Sequence, residues 1–342
     1  MYRPNSLWTW SFLITAIVQA IIALALEGYV FGKFTVALSD EANNKRETGA
    51  RTIPTYLSLL IFGFLYQLAL VYDALHHKNT IQVIGLCIYN LGILVYTAIQ
   101  IDQIKDAVVT LSTKGYIALE YWTIVKPFLI ALPCVVALGS LIMSFIAWKL
   151  YDEFAWTIYK QISADLRLKR RYLIYQIYIA LLKFDFFLFL GFEVQFLVIV
   201  VNTSDVEFYL TVASVPITIL LLLLAAYSTR RESVVGMICV IIVYFGALAY
   251  FMFKLVRMYG SDAGRRADYL PARRTLTTFA VITIALLVVT IIVACWCTFN
   301  FNKGLKPHLS KRQPHNVDSD KLYIDDMPHR VNMPTSSRME ID

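Results

Sequence analysis

Charge is scarce in this sequence. Only 16% of its 342 residues are Asp, Glu, Lys or Arg, and 58% are hydrophobic, against roughly 25% charged and 45–50% apolar in soluble domains. A water-soluble globule is excluded, because there is too little polar surface to cover that much apolar side chain. Patterns that carry common chemistries are missing as well. No G-x-S-x-G, H-E-x-x-H, phosphate-cradling glycine loop or nucleotide fingerprint occurs, and Gly28-x-x-x-Gly32 by itself is a helix-packing motif. Of the five histidines, His76 and His77 are adjacent and diverge by about 100° on a helix, while His308, His315 and His329 lie in a polar tail, so they form no metal-ligand set. The five cysteines (Cys87, Cys134, Cys239, Cys295 and Cys297) all fall in apolar runs, which argues for packing residues and against a disulfide framework. Cys295 and Cys297 end the last of these runs, where acylation is the alternative. No catalytic residue, no cofactor-binding residue and no metal ligand is expected, and the chain does not read as an enzyme.

What is present is a series of apolar runs, each long enough to cross a bilayer, since about 20 helical residues cover a hydrocarbon core of about 30 Å. Eight are expected, at 7–26, 53–72, 81–101, 123–148, 172–201, 208–228, 234–256 and 275–297. The first is too long for a secretory core, has no A-x-A site after it, and carries Trp8 and Trp10 as interfacial anchors. The fold class is therefore all-α, a polytopic transmembrane helical bundle forming one domain over 1–301. Pro127 and Pro133 predict a kink in the fourth span, and Gly139, Ser140 and Ser144 predict a close helix neighbour. Glu27 to Thr52 and Asp102 to Trp122 read as solvated loops. Between the fourth and fifth spans, Trp148, Tyr151, Phe154, Ala155, Ile158, Tyr159 and Ile162 share one face opposite Lys149, Asp152, Glu153, Thr157 and Lys160, which predicts an amphipathic helix lying in the membrane interface. Residues 302–342 are too polar and proline-rich to bury a core, and a disordered C-terminal tail is expected there.

Basic residues set the orientation. Lys149, Lys160, Arg167, Lys169, Arg170 and Arg171 precede the fifth span and none follows it in Asn202 to Glu207, so both termini and the tail are expected to be cytosolic. Arg257, Arg265, Arg266, Arg273 and Arg274 fall on the opposite side and count against this assignment. Asn202-Thr203-Ser204 is a glycosylation sequon on the expected lumenal side, close to the bilayer. The net charge of +7 sits in loops and tail without interleaved aromatics, so nucleic acid is not an expected partner. The lipid bilayer is, together with acidic lipids at the cytosolic face, which the cluster Arg167, Lys169, Arg170 and Arg171 would meet.

The fifth span holds the most informative residues, because Lys183, Asp185 and Glu193 stand where hydrocarbon should surround them. A charge at mid-bilayer costs at least about 2.5–3.5 kcal/mol. Lys183 and Asp185 point about 200° apart on a helix, and Glu193 lies about 15 Å beyond Lys183. They cannot neutralise one another, so other helices or water must meet them. Gln19, Gln67, Asn90, Gln100 and Lys126 are candidate partners. Tyr172, Tyr175, Gln176, Lys183 and Glu193 fall within an arc of about 100°, a polar stripe able to line a cavity. The candidate intramembrane polar site is Lys183, Asp185, Glu193 and Gln176. It reads either as a proton or solute path or as polar pairing between helices.

YKQISADLRLKRRYLIYQIYIALLKFDFFLFLGFEVQFLVIV (Tyr159 to Val200), followed by FYLTVASVPITILLLLLAAYSTRRE (Phe208 to Glu232), resembles a fungal family, of the uncharacterised UPF type, of multi-pass Golgi apparatus membrane proteins. LLKFDFFLFLGFEVQFL is the most specific part. The resemblance implies a polytopic helical fold in the Golgi or a related endomembrane, and no activity. The function expected is accordingly that of a Golgi membrane protein in sorting or membrane organisation, with trafficking proteins engaged through the tail. A proton- or ion-coupled small-solute transporter using the fifth span is the alternative.

Overall fold

The computed structural model describes residues 6–39, 48–161, 166–199, 206–259 and 273–303. Among the described residues there are eight long helices and no strand: α1 (Leu7–Ala37), α2 (Thr48–His76), α3 (Thr80–Thr113), α4 (Glu120–Gln161), α5 (Leu166–Ile199), α6 (Val206–Arg231), α7 (Val234–Met258) and α8 (Arg273–Phe299). Each contains a stretch long and apolar enough to span a bilayer. Eight crossings bring the start of α1 and the end of α8 to the same face. The tail and the Asn202 sequon lie outside the described residues.

Helix ends are set by local chemistry. Ser6 caps α1 through a reciprocal pair, its Oγ accepting from Thr9 N at 3.2 Å while its own N–H donates to Thr9 Oγ1 at 3.1 Å. Asn79 caps α3 by accepting from Ile81 N and Gln82 N, and Ser233 caps α7 by accepting from Gly236 N. The two tightest turns, α2–α3 and α6–α7, pass through Lys78 (φ 48°) and Glu232 (φ 52°), left-handed positions that let antiparallel helices follow one another within a few residues.

The helices form two rings of four. In the first, α1 packs on α2 and α4, and α3 on α2 and α4; in the second, α5 packs on α6 and α8, and α7 on α6 and α8. The rings join where α5 lies against α2 and α3 and α8 touches α3. Close approach at this seam depends on glycine: the Phe184 ring lies over Gly85 of α3, Phe187 over Gly63 of α2, and Phe279 of α8 over Gly191 of α5. A methyl group at Gly85 would sit only 2.7 Å from Phe184 Cζ. From Tyr178 to Phe196, α5 presents no broad lipid-facing surface, which explains an apolar pattern that runs all round it. Large apolar side chains such as Ile88, Leu141, Leu220 and Val235 turn outward instead, where acyl chains are the solvent.

The expected loops prove to be shorter than the sequence reading had them. α1 continues through Glu27 to Ala37, and α3 continues through Asp102 to Thr113. Both extensions keep a buried stripe at helical spacing, Val30 and Phe34 on α1, Ile104, Val108 and Leu111 on α3, and packing of that stripe outweighs the polar composition. The segment expected as an interfacial helix is helical, but it prolongs α4 without a break as far as Gln161. No proline or glycine interrupts the chain after Trp148, and Leu150 and Phe154 bury against α1 and α2 while Trp148 and Tyr151 face outward. The packed face is therefore turned from the one the aromatic spacing suggested, with Phe154 common to both. α4 is also continuous through Pro127 and Pro133.

Candidate functional site

α5 carries the charged residues into the seam, and each meets a different neighbour. Lys183 Nζ donates to Asp73 Oδ2 on α2 and to Gln82 Oε1 on α3, the latter at 2.9 Å. Gln82 Nε2 completes the cluster by donating to the same Asp73 oxygen at 2.8 Å and to Leu70 O at 3.0 Å, and His77 Nδ1 lies 3.3 Å from Asp73 Oδ1. Side chains on a helix lean toward its N-terminus, so the Lys183 stem reaches back to the end of α2. Lys183 and Asp73 remain about a third exposed there (27% and 32%), so the long lysine stem carries its cation to the edge of the bundle.

Asp185 points the other way and is fully enclosed. Its Oδ2 accepts from Thr290 Oγ1 of α8 at 2.7 Å, while Oδ1 has no hydrogen-bond partner. Glu193 is 2% exposed, accepts from Thr218 Oγ1 of α6 at 3.0 Å through Oε1, and leaves Oε2 without a partner. Gln176, buried nearer the start of the helix, donates to Tyr172 Oη at 3.1 Å. The polar stripe seen in the sequence is thus divided: Lys183 serves the α2–α3 side and Glu193 the α6 side. Of the cluster Arg167, Lys169, Arg170 and Arg171, the last donates to the Lys303 carbonyl just beyond α8, while the others decorate the first turns of α5 beside the same face.

The amide partners proposed from sequence are occupied elsewhere, and Lys126 is exposed on α4. Gln19, Gln67, Asn90 and Ser140, one from each helix of the first ring, converge at its centre. Asn90 Oδ1 accepts from Gln19 Nε2 at 2.7 Å and Gln67 Nε2 at 3.4 Å, and Asn90 Nδ2 donates to Ser140 Oγ at 2.9 Å and Gln19 Oε1 at 3.2 Å. Gln100 instead approaches Glu27, with Nε2 3.5 Å from Oε1.

Two acidic residues escaped the sequence reading. Glu27 was placed in a loop, yet it is 1% exposed on α1. The series Ala16, Ala20, Ala23, Glu27, Val30 and Phe34, spaced by three and four, is the signal that would have found it. Asp73 falls just past the second expected span, 53–72, and nothing in its own neighbourhood in the sequence points to Lys183, more than a hundred residues on.

Among the described residues no group of three His, Cys, Asp or Glu side chains is placed to hold a metal ion. A shallow recess of about 360 Å³ opens at the far end of the α3–α8 seam, lined by Ile99, Asp102, Tyr259, Arg274, Thr277 and Thr278. Beside it the hydrogen bond with Thr277, with Arg273 over the ring, holds the Tyr259 phenol below its ordinary range.

Eight apolar helices, polar groups joined across helices and an outward apolar surface define a polytopic α-helical integral membrane protein. Comparison with known proteins narrows this further. The chain belongs to the UPF0658 family of Golgi apparatus membrane proteins: it is 34% identical to a UPF0658 Golgi apparatus membrane protein of Schizosaccharomyces pombe over 319 residues, 87% of this chain and 88% of the relative. No protein-family profile matches it. No solved structure matches it either.

Proposed function

We propose that this protein is a non-enzymatic organiser of the Golgi membrane, acting in sorting or membrane organisation, with both termini cytosolic. The observation that carries the reading is the way each charge of α5 is met by a side chain of another helix: Lys183 by Asp73 and Gln82, Asp185 by Thr290, Glu193 by Thr218. Polar groups used in this manner fix which helices lie together, which is what a membrane scaffold requires. The basic residues Arg167, Lys169, Arg170 and Arg171 lie at the end of α5 on the same side as the start of α1 and the end of α8, and cations there would attract acidic headgroups by about 1 kcal/mol each. The tail beyond residue 303 is the element offered to trafficking proteins.

A second reading, ion-coupled transport through the fifth span, draws support from the unpartnered oxygens Asp185 Oδ1 and Glu193 Oε2. Proximity labelling from each terminus, combined with ion and metabolite profiling of a deletion strain, separates the two. Golgi sorting components labelled from both termini are the expected result. A sharp solute phenotype with no Golgi neighbours labelled would reject the organiser reading. Labelling of lumenal proteins would reject the orientation.

A further inference from the structure

A buried group of oxygens where the two rings meet has no role in the scaffold described above. Glu27 is almost wholly enclosed; among the described residues its carboxylate's only hydrogen bond is the 3.5 Å approach of Gln100 Nε2, and its Oε2 has no hydrogen-bond partner. No ion pair reaches it among the described residues. An isolated ionised carboxylate in such surroundings costs far more than folding can supply, of order tens of kcal/mol in a dry interior. Something must neutralise it.

The groups around Glu27 indicate what. Gln195 of α5 is completely buried, and its amide group makes no hydrogen bond of normal geometry beyond its approach to a tyrosine hydroxyl. It lies beside the hydroxyl of Tyr96 on α3, which donates to Tyr56 O at 3.2 Å and is within electrostatic reach of Glu27. Gln100 Oε1 and Gln103 Oε1 are also buried without partners. Tyr96, Gln100 and Gln103 stand on one stripe of α3, and that stripe meets Glu27 of α1 through Gln100 and Gln195 of α5 through Tyr96.

A proton on Glu27 would remove its charge, but it could be shared with only one of these acceptors. A metal cation accepts several oxygens at once, and neutral amide and carboxylate oxygens are the ligands hard cations select. One carboxylate balances one positive charge. We propose that Glu27, Gln100 and Gln195, with Gln103 at the outer end, form a binding site for a monovalent alkali cation, sodium or potassium. Asp102 and Arg274, in the wall of the recess, adjoin Gln103 and Thr275 in the chain. Gln103 Nε2 donates to Thr275 Oγ1 at 3.1 Å, and Thr275 donates to Tyr56 Oη at 3.0 Å. That hydrogen-bonded chain begins one residue from the recess wall on both α3 and α8.

The test is thermal unfolding of the purified full-length protein in sodium, potassium and choline chloride at equal ionic strength. A saturable rise of about 2–4 °C in one alkali salt over choline is expected, and both Glu27→Gln and Gln195→Leu should lose it. Equal midpoints in all three salts, with Glu27→Gln as stable as the parent, would mean a protonated Glu27 and would overturn the cation site. Cation dependence kept intact in both variants would overturn the residue assignment. Should the variants fail to fold, equilibrium dialysis of the parent against radiolabelled sodium and rubidium decides: saturable uptake of one ion per chain supports the site, and none refutes it.

Discussion

Thr290 of α8 donates its hydroxyl hydrogen to Asp185 of α5 at 2.7 Å, and both side chains are closed off from the surroundings of the bundle. The pair ties the central helix of the seam to the last helix of the chain, across 105 residues of sequence. Thr290→Val keeps the shape and removes the donor, leaving a buried carboxyl with no partner. A loss of about 1–2 kcal/mol is expected, read as a lower unfolding midpoint in detergent, and Thr290→Ser should restore most of it. A valine variant as stable as the parent would show that the hydrogen bond contributes nothing.

Gly85 and Phe184 test the contact between rings. A methyl group at Gly85 would collide with the phenyl ring, so Gly85→Ala should cost about 1–3 kcal/mol through overpacking. Shortening the ring in Gly85→Ala/Phe184→Leu should recover more than half of that loss. Additive losses in the double variant would mean that the glycine matters for some reason other than this close approach.

Lys183 and Asp73 should be coupled. Because both are about a third exposed, solvent weakens the pair, and a double-mutant cycle with Lys183→Met and Asp73→Asn should give about 0.5–2 kcal/mol of coupling. Gln82 bonds to both members, so Gln82→Leu should reduce the coupling. Independent effects of the two substitutions would contradict the cluster.

Asn90 holds the first ring. Asn90→Leu leaves Gln19 and Ser140 without their partner in a cluster to which four helices contribute, and a loss of about 1–3 kcal/mol is expected. Asn90 keeps its Gln19 and Gln67 contacts when Ser140 is truncated, so Ser140→Ala should cost less than half as much. Protease sensitivity of α1 relative to the second ring would locate the effect.

Much of the fold was legible because membrane insertion is decided by segment. A run of apolar residues must satisfy its backbone internally wherever its neighbours lie, and the eight runs accordingly appear as eight helices. The sequence also required that Lys183, Asp185 and Glu193 be met from outside α5, since angles along one helix follow from its period alone. Helix extents were less legible, as Glu27 and Asp102 show, because burial of a narrow stripe overrides polar composition at the ends.

The partners were decided by tertiary structure alone. Thr290 and Thr218 look like ordinary residues of apolar spans, and Asp73 like the edge of a short turn. Their selection depends on which helices become neighbours and at what height, and that is set by the fit of Phe184, Phe187 and Phe279 against Gly85, Gly63 and Gly191. Complementary shape between helices distant in sequence leaves no periodic trace within any one of them. The amino-acid sequence determined that this is a membrane protein of eight apolar spans with charges that needed answering; packing at the α5 seam decided which residues answer them, and left the oxygens around Glu27 unanswered.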